Sequence, residues 1–506
     1  MEIKEKVRIP GLDTSIKTLA IIDRKDANEI GVNPLDRIIV SHGKKKITCV
    51  VDVDDGTLVK SGEMVISNEV VRILGVKNRD VVSIKRRGDL VSKHYIRKKI
   101  DGKRLSYKEY YEIVKDIVSR NLNDLELTSF VISLYIRGMS VQEAADLSMA
   151  MVNVGDKLSF GKKTVVDKHS IGGIPGDKTT ILVVPIMTSL GYTMPKTSSR
   201  AITDPAGSAD REEVMFNVSL GLKDIKKIVN KVGGCMVWGG SLSMSPADDL
   251  IINIERPLRI DSVLLPSILS KKKAAGSKYV VIDMPTGPEA KVKTVRDAEH
   301  LFSQFKKIGK KMGMEIVGAS TFASQPLGRA VGPALEAREA LENLMNPSQK
   351  DLIEKATGLC GLLISKVENI SFKKARNIAM HALTSGKAYK KFVEIAKAQG
   401  AKVLDPQKIK IGKYSFDVKA NKSGYVSYIS NRDIVTIAKL AGAPFDKGAG
   451  ILLHKKLGEK VKRGDVLMTI YSNSEEKLGE ALKYRAFKIT SAKVSVPKDV
   501  LLKRFR

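Results

Sequence analysis

The sequence predicts a multidomain α/β protein: a small N-terminal β-barrel-like domain, a helical domain, a large α/β domain and a C-terminal α+β domain. Three observations predict it. Residues 1–85 carry one β-rich motif twice. Residues 86–152 hold successive capped amphipathic segments joined by short loops, the pattern of an antiparallel bundle. From Thr164 onward short β-prone runs alternate with glycine-rich turns and helical segments, until the composition turns β again at Val418. The expected boundaries are 1–85, 86–152 with 244–275 returning to it, 153–243 with 276–410, and 411–506.

A chain of 506 residues with 43% hydrophobic and 28% charged residues suits a soluble, cytoplasmic, globular protein. No apolar run approaches the roughly 20 residues that span a bilayer. The opening MEIKEKVRIP has no apolar core, so no signal peptide is expected. Cys49, Cys235 and Cys360 are far apart and read as reduced, buried thiols. The net charge of +31 raises nucleic acid as a partner, but the lysines are dispersed and only 5% of residues are aromatic. A lysine-rich surface equally suits polyanionic substrates or a high growth temperature.

In the N-terminal repeat, Asp26–Val40 is echoed by Asn68–Ile84. Each copy reads as a short helix, a Gly-Val turn and a strand. Two such copies suggest a small barrel of the double-psi kind with pseudo-two-fold symmetry. In the bundle, Ser106 with Glu109 opens a helix over Tyr107–Arg120, and Thr128 opens a second that Gly138 ends after Arg137. Ser140 with Glu143 opens a third, reaching about Val152.

The stretch Val165–Asp210 organises the rest. Thr164–Val166 is β-prone, and Asp167–Asp177 holds three glycines and a proline, so the backbone can turn tightly and offer N–H groups to an anion. Thr179–Leu190 is apolar enough for a buried helix, with Pro185 a kink or boundary. Lys168, Lys178, Ser170, Thr179 and Thr180 supply charge and hydroxyl donors suited to phosphate. The P-loop pattern is absent. Lys196–Asp210 then packs five hydroxyls and Arg200 into one loop. A glycine-rich turn that binds nothing is the plain alternative, and the second loop weighs against it, because βα loops converge where α/β sheets bind ligands.

K-H-S-x-G-G-x-x-G-D-K followed by S-S-R-A-I-T-x-x-A-G-S-A-D resembles the pyrimidine nucleoside phosphorylase superfamily. The S-R-A-I-T form and Pro175 resemble its long archaeal branch, the AMP phosphorylases. The resemblance runs from about Arg86 to the C-terminus, and an additional N-terminal domain fits the long branch, where it is associated with assembly. It implies the type II nucleoside phosphorylase fold, with AMP, other nucleoside monophosphates such as CMP and UMP, and inorganic phosphate as substrates. It also implies a homodimer or larger homo-oligomer.

Further matches follow along the chain. Ser267–Lys272 (S-I-L-S-K-K) resembles the superfamily's base-binding helix, and Asp261 matches an aspartate of the loop before it, although the spacing to Ser267 is two residues short. Tyr279–Pro285 reads as a strand leading to Lys291, a solvated surface lysine on residue type alone and a nucleotide-pocket residue by resemblance. Asp297–Lys310 is helical, Glu315–Val317 a strand, and Gln325–Glu336 a family match whose glycines and alanines suit close packing. Helices follow to about Gly400. Gly424–Val426 and Gly458–Leu467 resemble a biotinyl or lipoyl hammerhead, but no lysine stands within M-K-M, so the region reads as a structural module.

By motif position Lys168, Ser170, Thr180, Ser198 and Ser208 are the phosphate binders. Gly173, Ser199, Arg200, Ala201, Ile202, Thr203, Asp204, Ser208, Ser267 and Lys291 are the nucleotide binders. Ser208 stands where the family more often has threonine, and Asp204 where serine is expected. A carboxylate there is unfavourable beside a phosphomonoester unless it points away or pairs with Arg200. Asp261, if desolvated, is the expected proton donor to the base, and His169 is the runner-up. No metal motif and no need for a redox or organic cofactor are evident. The alternatives are a thymidine or uridine phosphorylase, a nucleic-acid-binding protein on an inactive fold, and chemistry like that of anthranilate phosphoribosyltransferase.

Overall fold

The computed structural model describes residues 1–14, 18–201, 204–242 and 244–506. The chain divides into two units, Met1–Val154 with Pro246–Pro266, and Gly155–Ser245 with Ser267–Arg506.

In the first unit β1 (Glu2–Arg8), β2 (Leu19–Asp23), β3 (Arg37–His42), β4 (Lys45–Asp54), β5 (Glu63–Ile66) and β6 (Val81–Arg86) close a barrel in the order β1-β5-β2-β4-β3-β6. β1/β5 and β2/β4 pair in parallel and the other described pairs are antiparallel. The sequence repeat is visible here. Each copy gives a seven-residue helix, Arg24–Ile30 or Asn68–Leu74, closed by a left-handed glycine, Gly31 (φ 70°) or Gly75 (φ 69°). A side chain would be strained at that angle, so glycine lets the chain leave the helix and enter the next strand. Ile22, Ile38, Val40, Met64, Ile66 and Ile84 fill the interior.

The helical part comprises Val91–Ile100, Tyr107–Val118, Asp124–Arg137 and Val141–Val154, with Pro246–Leu258 joining them. Tyr110, Ile113, Phe130, Leu134, Leu147 and Ile251 form its core. The Ser106–Glu109 box opens its helix as expected. The second helix opens at Asp124 rather than Thr128. Asn123 Oδ1 accepts from Glu126 N at 2.9 Å and Glu126 Oε2 from Asn123 N at 3.0 Å, a capping box one turn upstream. The returning segment ends at Pro266, short of the expected residue 275. The reason is packing: the end of the helix Leu264–Ala274 joins Leu158, Phe160 and Ile225 in a core of the second unit.

That second unit is built on β7 (Val166–Ser170), β8 (Met194–Ser198), β9 (Gly234–Trp238), β10 (Tyr279–Thr286) and β11 (Glu315–Phe322). β7, β10 and β11 pair in parallel in the order β11-β10-β7, β8 pairs in parallel with β9, and a Val165–Thr193 bridge joins the two sets. The chain leaves β7 toward β8 through the helix Thr179–Ser189, and leaves β10 toward β11 through Val295–Lys311. These connections run in opposite directions, so β7/β10 is a switch point, and open α/β sheets bind ligands outside the strands' carboxyl ends at such points. Thr179–Ser189 is buried through all but its last residue and keeps Pro185 inside it.

The C-terminal strands are β12 (Ala330–Val331), β13 (Tyr414–Lys419), β14 (Gly424–Ile429), β15 (Gly450–Leu453), β16 (Lys460–Val461), β17 (Val466–Ser472), β18 (Phe487–Thr490) and β19 (Leu501–Phe505). They form sheets β12-β15-β17-β13 and β16-β14-β18, while β19 pairs antiparallel with β11. The region therefore takes one strand from the central segment and returns another to the central sheet. Among the described residues no helix is long and apolar enough to cross a membrane.

Lys99 Nζ meets Glu143 Oε1 at 2.7 Å with both side chains buried, and the same oxygen accepts from Leu105 N and Tyr110 Oη. Lys99→Met strands that carboxylate, so we expect a loss of about 3 kcal/mol of stability in denaturant unfolding. A loss under about 1 kcal/mol contradicts the packing role assigned to this pair.

Candidate active site

The loop after β7 needs its glycines because two backbones touch there. Gly172, Gly173 and Gly176 have φ of 79°, 90° and 80°. A Cβ on Gly173 would lie 2.8 Å from Lys291 N in the loop after β10, and one on Gly176 would lie 2.6 Å from Leu327 O. The hydroxyl-rich loop is equally tight: a Cβ on Gly207 would lie 2.4 Å from Arg200 C and 2.5 Å from Ala201 N. Asp210 fastens it by accepting from Ala201 N at 2.7 Å and Gly207 N at 2.9 Å.

Beneath these loops lies a buried set of opposite charges. Asp177 accepts from Thr179 N at 3.2 Å and from Thr179 Oγ1, capping the helix that follows. Lys168 and Lys355 flank its carboxylate at 3.6 and 3.5 Å. Burial opposes ionisation of Asp177, but Lys168 and Lys355 hold its carboxyl well below the usual range. Lys355 also meets Asp283 within β10 at 2.8 Å, and Asp283 accepts from Thr321 Oγ1 at 2.7 Å. Lys178 turns away to Leu327 O, Ala330 O and the Glu339 carboxylate. Arg211 pairs with Glu336 at 2.9 Å and donates to Asp177 O, to Ala206 O at 2.7 Å and to Ser208 Oγ at 3.4 Å. One guanidinium thus ties the glycine loop to the hydroxyl loop.

Of the expected phosphate binders, Lys168 is buried and paired with Asp177. Ser170 is half-buried at the end of β7 and accepts from Gly172 N at 3.4 Å. Thr180 is buried in the first turn of its helix, and Ser208 is half-buried at the start of the turn Ser208–Glu212. Ser198 ends β8 at 8% exposure, and its Oγ has no hydrogen-bond partner among the described residues. A buried hydroxyl without a partner is costly unless a ligand completes it.

Among the nucleotide binders, Gly173 and Lys291 meet directly, and Lys291 is exposed. Ser199 is exposed, and its carbonyl accepts from Ala209 N at 3.2 Å. Arg200 is bidentate to Glu213 at 2.7 and 2.9 Å, bonds Asp210 at 3.1 Å, and lies 4.8 Å over the Trp238 ring. Both terminal nitrogens therefore hold the loop. The partner anticipated for Asp204 is taken: Arg200 pairs with Asp210 and Glu213 instead. Burial pushes the Asp204 carboxyl up and Asp177 adds to this, against Arg211, Lys291 and Lys439. Ile202 and Thr203 lie outside the described residues. Ser267 is half-buried in the second unit, and Asp261 is exposed between the helices Pro246–Leu258 and Leu264–Ala274 in the first. His169 is pushed well below its ordinary range by burial and by Lys272, Lys196, Lys168 and Lys271, so its imidazole is neutral at neutral pH.

Sequence reasoning missed Asp177, Arg211, Asp283, Glu336, Glu339 and Lys355 as site-building residues. The available signal was charge inside apolar runs: Lys355 sits in the helix Lys350–Glu368, within its continuously buried stretch Glu354–Ser365. Gln325–Glu336 is more than close packing, because Glu336 and the neighbouring Glu339 anchor Arg211 and Lys178. Among the described residues no group of three or more His, Cys, Asp or Glu is arranged to hold a metal ion.

Three family models match the chain. They are the helical bundle domain of a glycosyl transferase family at residues 93–155, its a/b domain at 162–389, and the pyrimidine nucleoside phosphorylase C-terminal domain at 425–490. The AMP phosphorylase of Thermococcus kodakarensis is 46% identical over 484 residues, 95% of this chain and 96% of that protein. That of Pyrococcus furiosus is 44% identical over 485 residues, with the same shares. That of Methanocaldococcus jannaschii is 43% identical over 482 residues, 94% of this chain and 95% of that protein. Among solved structures, anthranilate phosphoribosyltransferase from Thermus thermophilus aligns with a TM-score of 0.52 at 17% identity, covering 60% of this chain and 99% of that one. At that identity the likeness is one of fold.

Lys355→Met leaves Asp177 and Asp283 without their shared cation. The expected result is a stability loss of about 3–5 kcal/mol in denaturant unfolding at neutral pH. Because the folded state holds the Asp177 carboxyl low, its stabilisation is present above the unfolded value of about 4 and is lost as pH falls through the folded one. The variant's deficit therefore shrinks in acid. A deficit that grows in acid contradicts the pairing.

Proposed function

The chain belongs to the AMP phosphorylase family, and from that premise we propose how its residues carry the reaction, AMP plus phosphate giving adenine and ribose 1,5-bisphosphate. A phosphate oxygen bonds to C1′ as the C1′–N9 bond breaks, and the bonding pair leaves with the purine, which takes a proton. No electrons pass between redox states, so phosphate is the co-substrate and no redox cofactor is called for.

The observation that carries this reading is the close approach of the glycine loop to the loop after β10 at the β7/β10 switch, and its tie through Arg211 to the hydroxyl loop after β8, over fixed buried cations. Ser170, Thr180, Ser198 and Ser208 receive the attacking phosphate, with N–H groups of the glycine loop and the field of Lys168. Donors fixed before substrate arrives need no reorganisation at the transition state. Gly173, Lys291 and the loop 199–204 receive the nucleotide with its 5′-phosphate, and Arg200 acts by holding that loop. Ser267 faces the base. Asp261 donates the proton once bound substrate excludes water from it, and neutral His169 is the second candidate. CMP and UMP are further substrates on this reading. The barrel is an assembly module of a cytoplasmic homo-oligomer.

The test is release of free base from AMP, adenosine and thymidine, each with and without phosphate. Phosphate-dependent adenine from AMP but not adenosine is expected, and turnover of thymidine alone overturns the nucleotide reading. Asp261→Asn is expected to lower kcat by about 100-fold or more with little change in the KM for AMP. A rise in KM with kcat preserved would show that Asp261 binds rather than protonates. Ser198→Ala and Ser208→Ala are each expected to raise the KM for phosphate about tenfold. An unchanged value for both removes them from the phosphate site.

A further inference from the structure

Most of the buried cations beneath the two loops have a carboxylate of their own. Lys355 meets Asp283 at 2.8 Å, Arg211 meets Glu336 at 2.9 Å, Lys272 meets Asp167 at 2.9 Å and Lys168 meets Asp177 at 3.6 Å. Two groups are left over. Lys196, on β8, is 5% exposed, donates to Thr197 O at 2.6 Å and comes only to 3.8 Å from the already paired Asp167. Glu212, at the end of the turn that begins with Ser208, is 0% exposed, and neither carboxyl oxygen has a hydrogen-bond partner among the described residues. Lys196 is the cation that has only a shared carboxylate at long range, and Glu212 is the anion without a hydrogen bond. An unpartnered buried carboxylate is held more cheaply as the neutral acid, and a lysine without a close counter-ion as the neutral amine.

We propose that Lys196 and Glu212 form a proton-buffering pair beneath the phosphate site, carrying one proton between them when the site is empty and two when phosphate is bound. With one proton the pair is neutral overall, whether that proton sits on nitrogen or oxygen. An arriving anion favours the state with Lys196 charged and Glu212 neutral, because it attracts the ammonium and repels the carboxylate. The second proton comes from solvent, and no bond other than N–H or O–H changes.

The surroundings agree with this balance. Burial pushes Glu212 up to about 8, against Lys196, Arg211 and Lys168, with Asp210 adding to the rise. Burial and Lys272 push Lys196 down to about 7, with Lys168 adding, against Asp167 and Glu212. The charged and titratable groups facing the pair are Asp167, Lys168 and His169 on β7, Cys235 on β9, Lys272 on the helix Leu264–Ala274, and Asp210 and Arg211 beside Glu212. Burial pushes the Cys235 thiol far up and His169 is held neutral, so both are uncharged near neutrality.

This inference rests on phosphate binding at the loops above. Its test is calorimetric titration of the full-length protein with inorganic phosphate at about pH 8, where free phosphate is a dianion and the pair is mid-titration. Running it in two buffers of different ionisation enthalpy counts protons taken up per phosphate bound. We expect about half a proton or more, and a phosphate Kd that rises up to about tenfold per pH unit above that point. The double variant Lys196→Met/Glu212→Gln keeps the empty pair's net charge and its approximate side-chain volume. It is expected to bind phosphate with no proton uptake and a Kd that is flat over the same range. Binding heats of the native protein that do not depend on buffer overturn the proposal while leaving the phosphate site standing. Uptake that persists unchanged in the double variant also overturns it. Absence of any phosphate binding overturns both.

Discussion

The charge balance around Asp177 is the interaction on which the rest of the second unit depends. A carboxylate beneath the two loops accepts from the first N–H of the helix Thr179–Ser189 and takes Lys168 and Lys355 as counter-ions. Through Lys355 it is joined to Asp283 in β10, and through its carbonyl to Arg211 in the turn that follows the hydroxyl loop. Separate segments are therefore placed relative to one another by a few buried ion pairs. Replacing them with apolar groups would often cost little, but removing one partner costs several kcal/mol. That asymmetry suits a site whose purpose is to hold loops still.

The arrangement sets two kinds of electrostatics side by side. Fully paired groups, such as Arg211 with Glu336 and Lys178 with Glu339, hold backbone. Groups left short of partners, such as the Ser198 hydroxyl, Lys196 and Glu212, are the ones an anion can influence. A catalyst of phosphorolysis needs both, because the donors must be fixed before the substrate arrives yet must retain unspent affinity for it. The C-terminal region adds to the first kind. Glu289, in the loop after β10, accepts from Tyr428 Oη at 2.6 Å and from Arg432 N at 3.1 Å, so the strand β14 and the helix after it steady the loop that carries Lys291.

Much of this was legible in the sequence, for physical reasons. The repeat in 1–85 announced itself because each copy must end its helix on glycine at positive φ, and the glycine loop because only glycine tolerates backbone contact at 2.8 Å. Helix starts were readable where Ser, Glu and their spacing encode a cap, and the Thr128 start missed because Asn123 and Glu126 encode an earlier one. What was not legible was pairing at a distance. Lys178 and Glu339, or Lys355 and Asp283, are far apart in the chain, and even where an apolar run hints at a buried charge, as for Lys355, nothing local names its partner. Arg200 shows the same limit at short range: nothing in its hydroxyl-rich loop announces that Asp210 and Glu213, a few residues on, hold its guanidinium.

The most direct test of the account is a crystal structure of the protein with phosphate and AMP bound. The account places inorganic phosphate between the Ser170–Gly173 turn and the hydroxyls of Ser198 and Ser208, with the 5′-phosphate against Gly173 and Lys291, and the Arg200–Glu213 pair intact. A phosphate seated instead on Arg200, with Glu213 displaced, or one held away from Ser198 and Ser208, would contradict it.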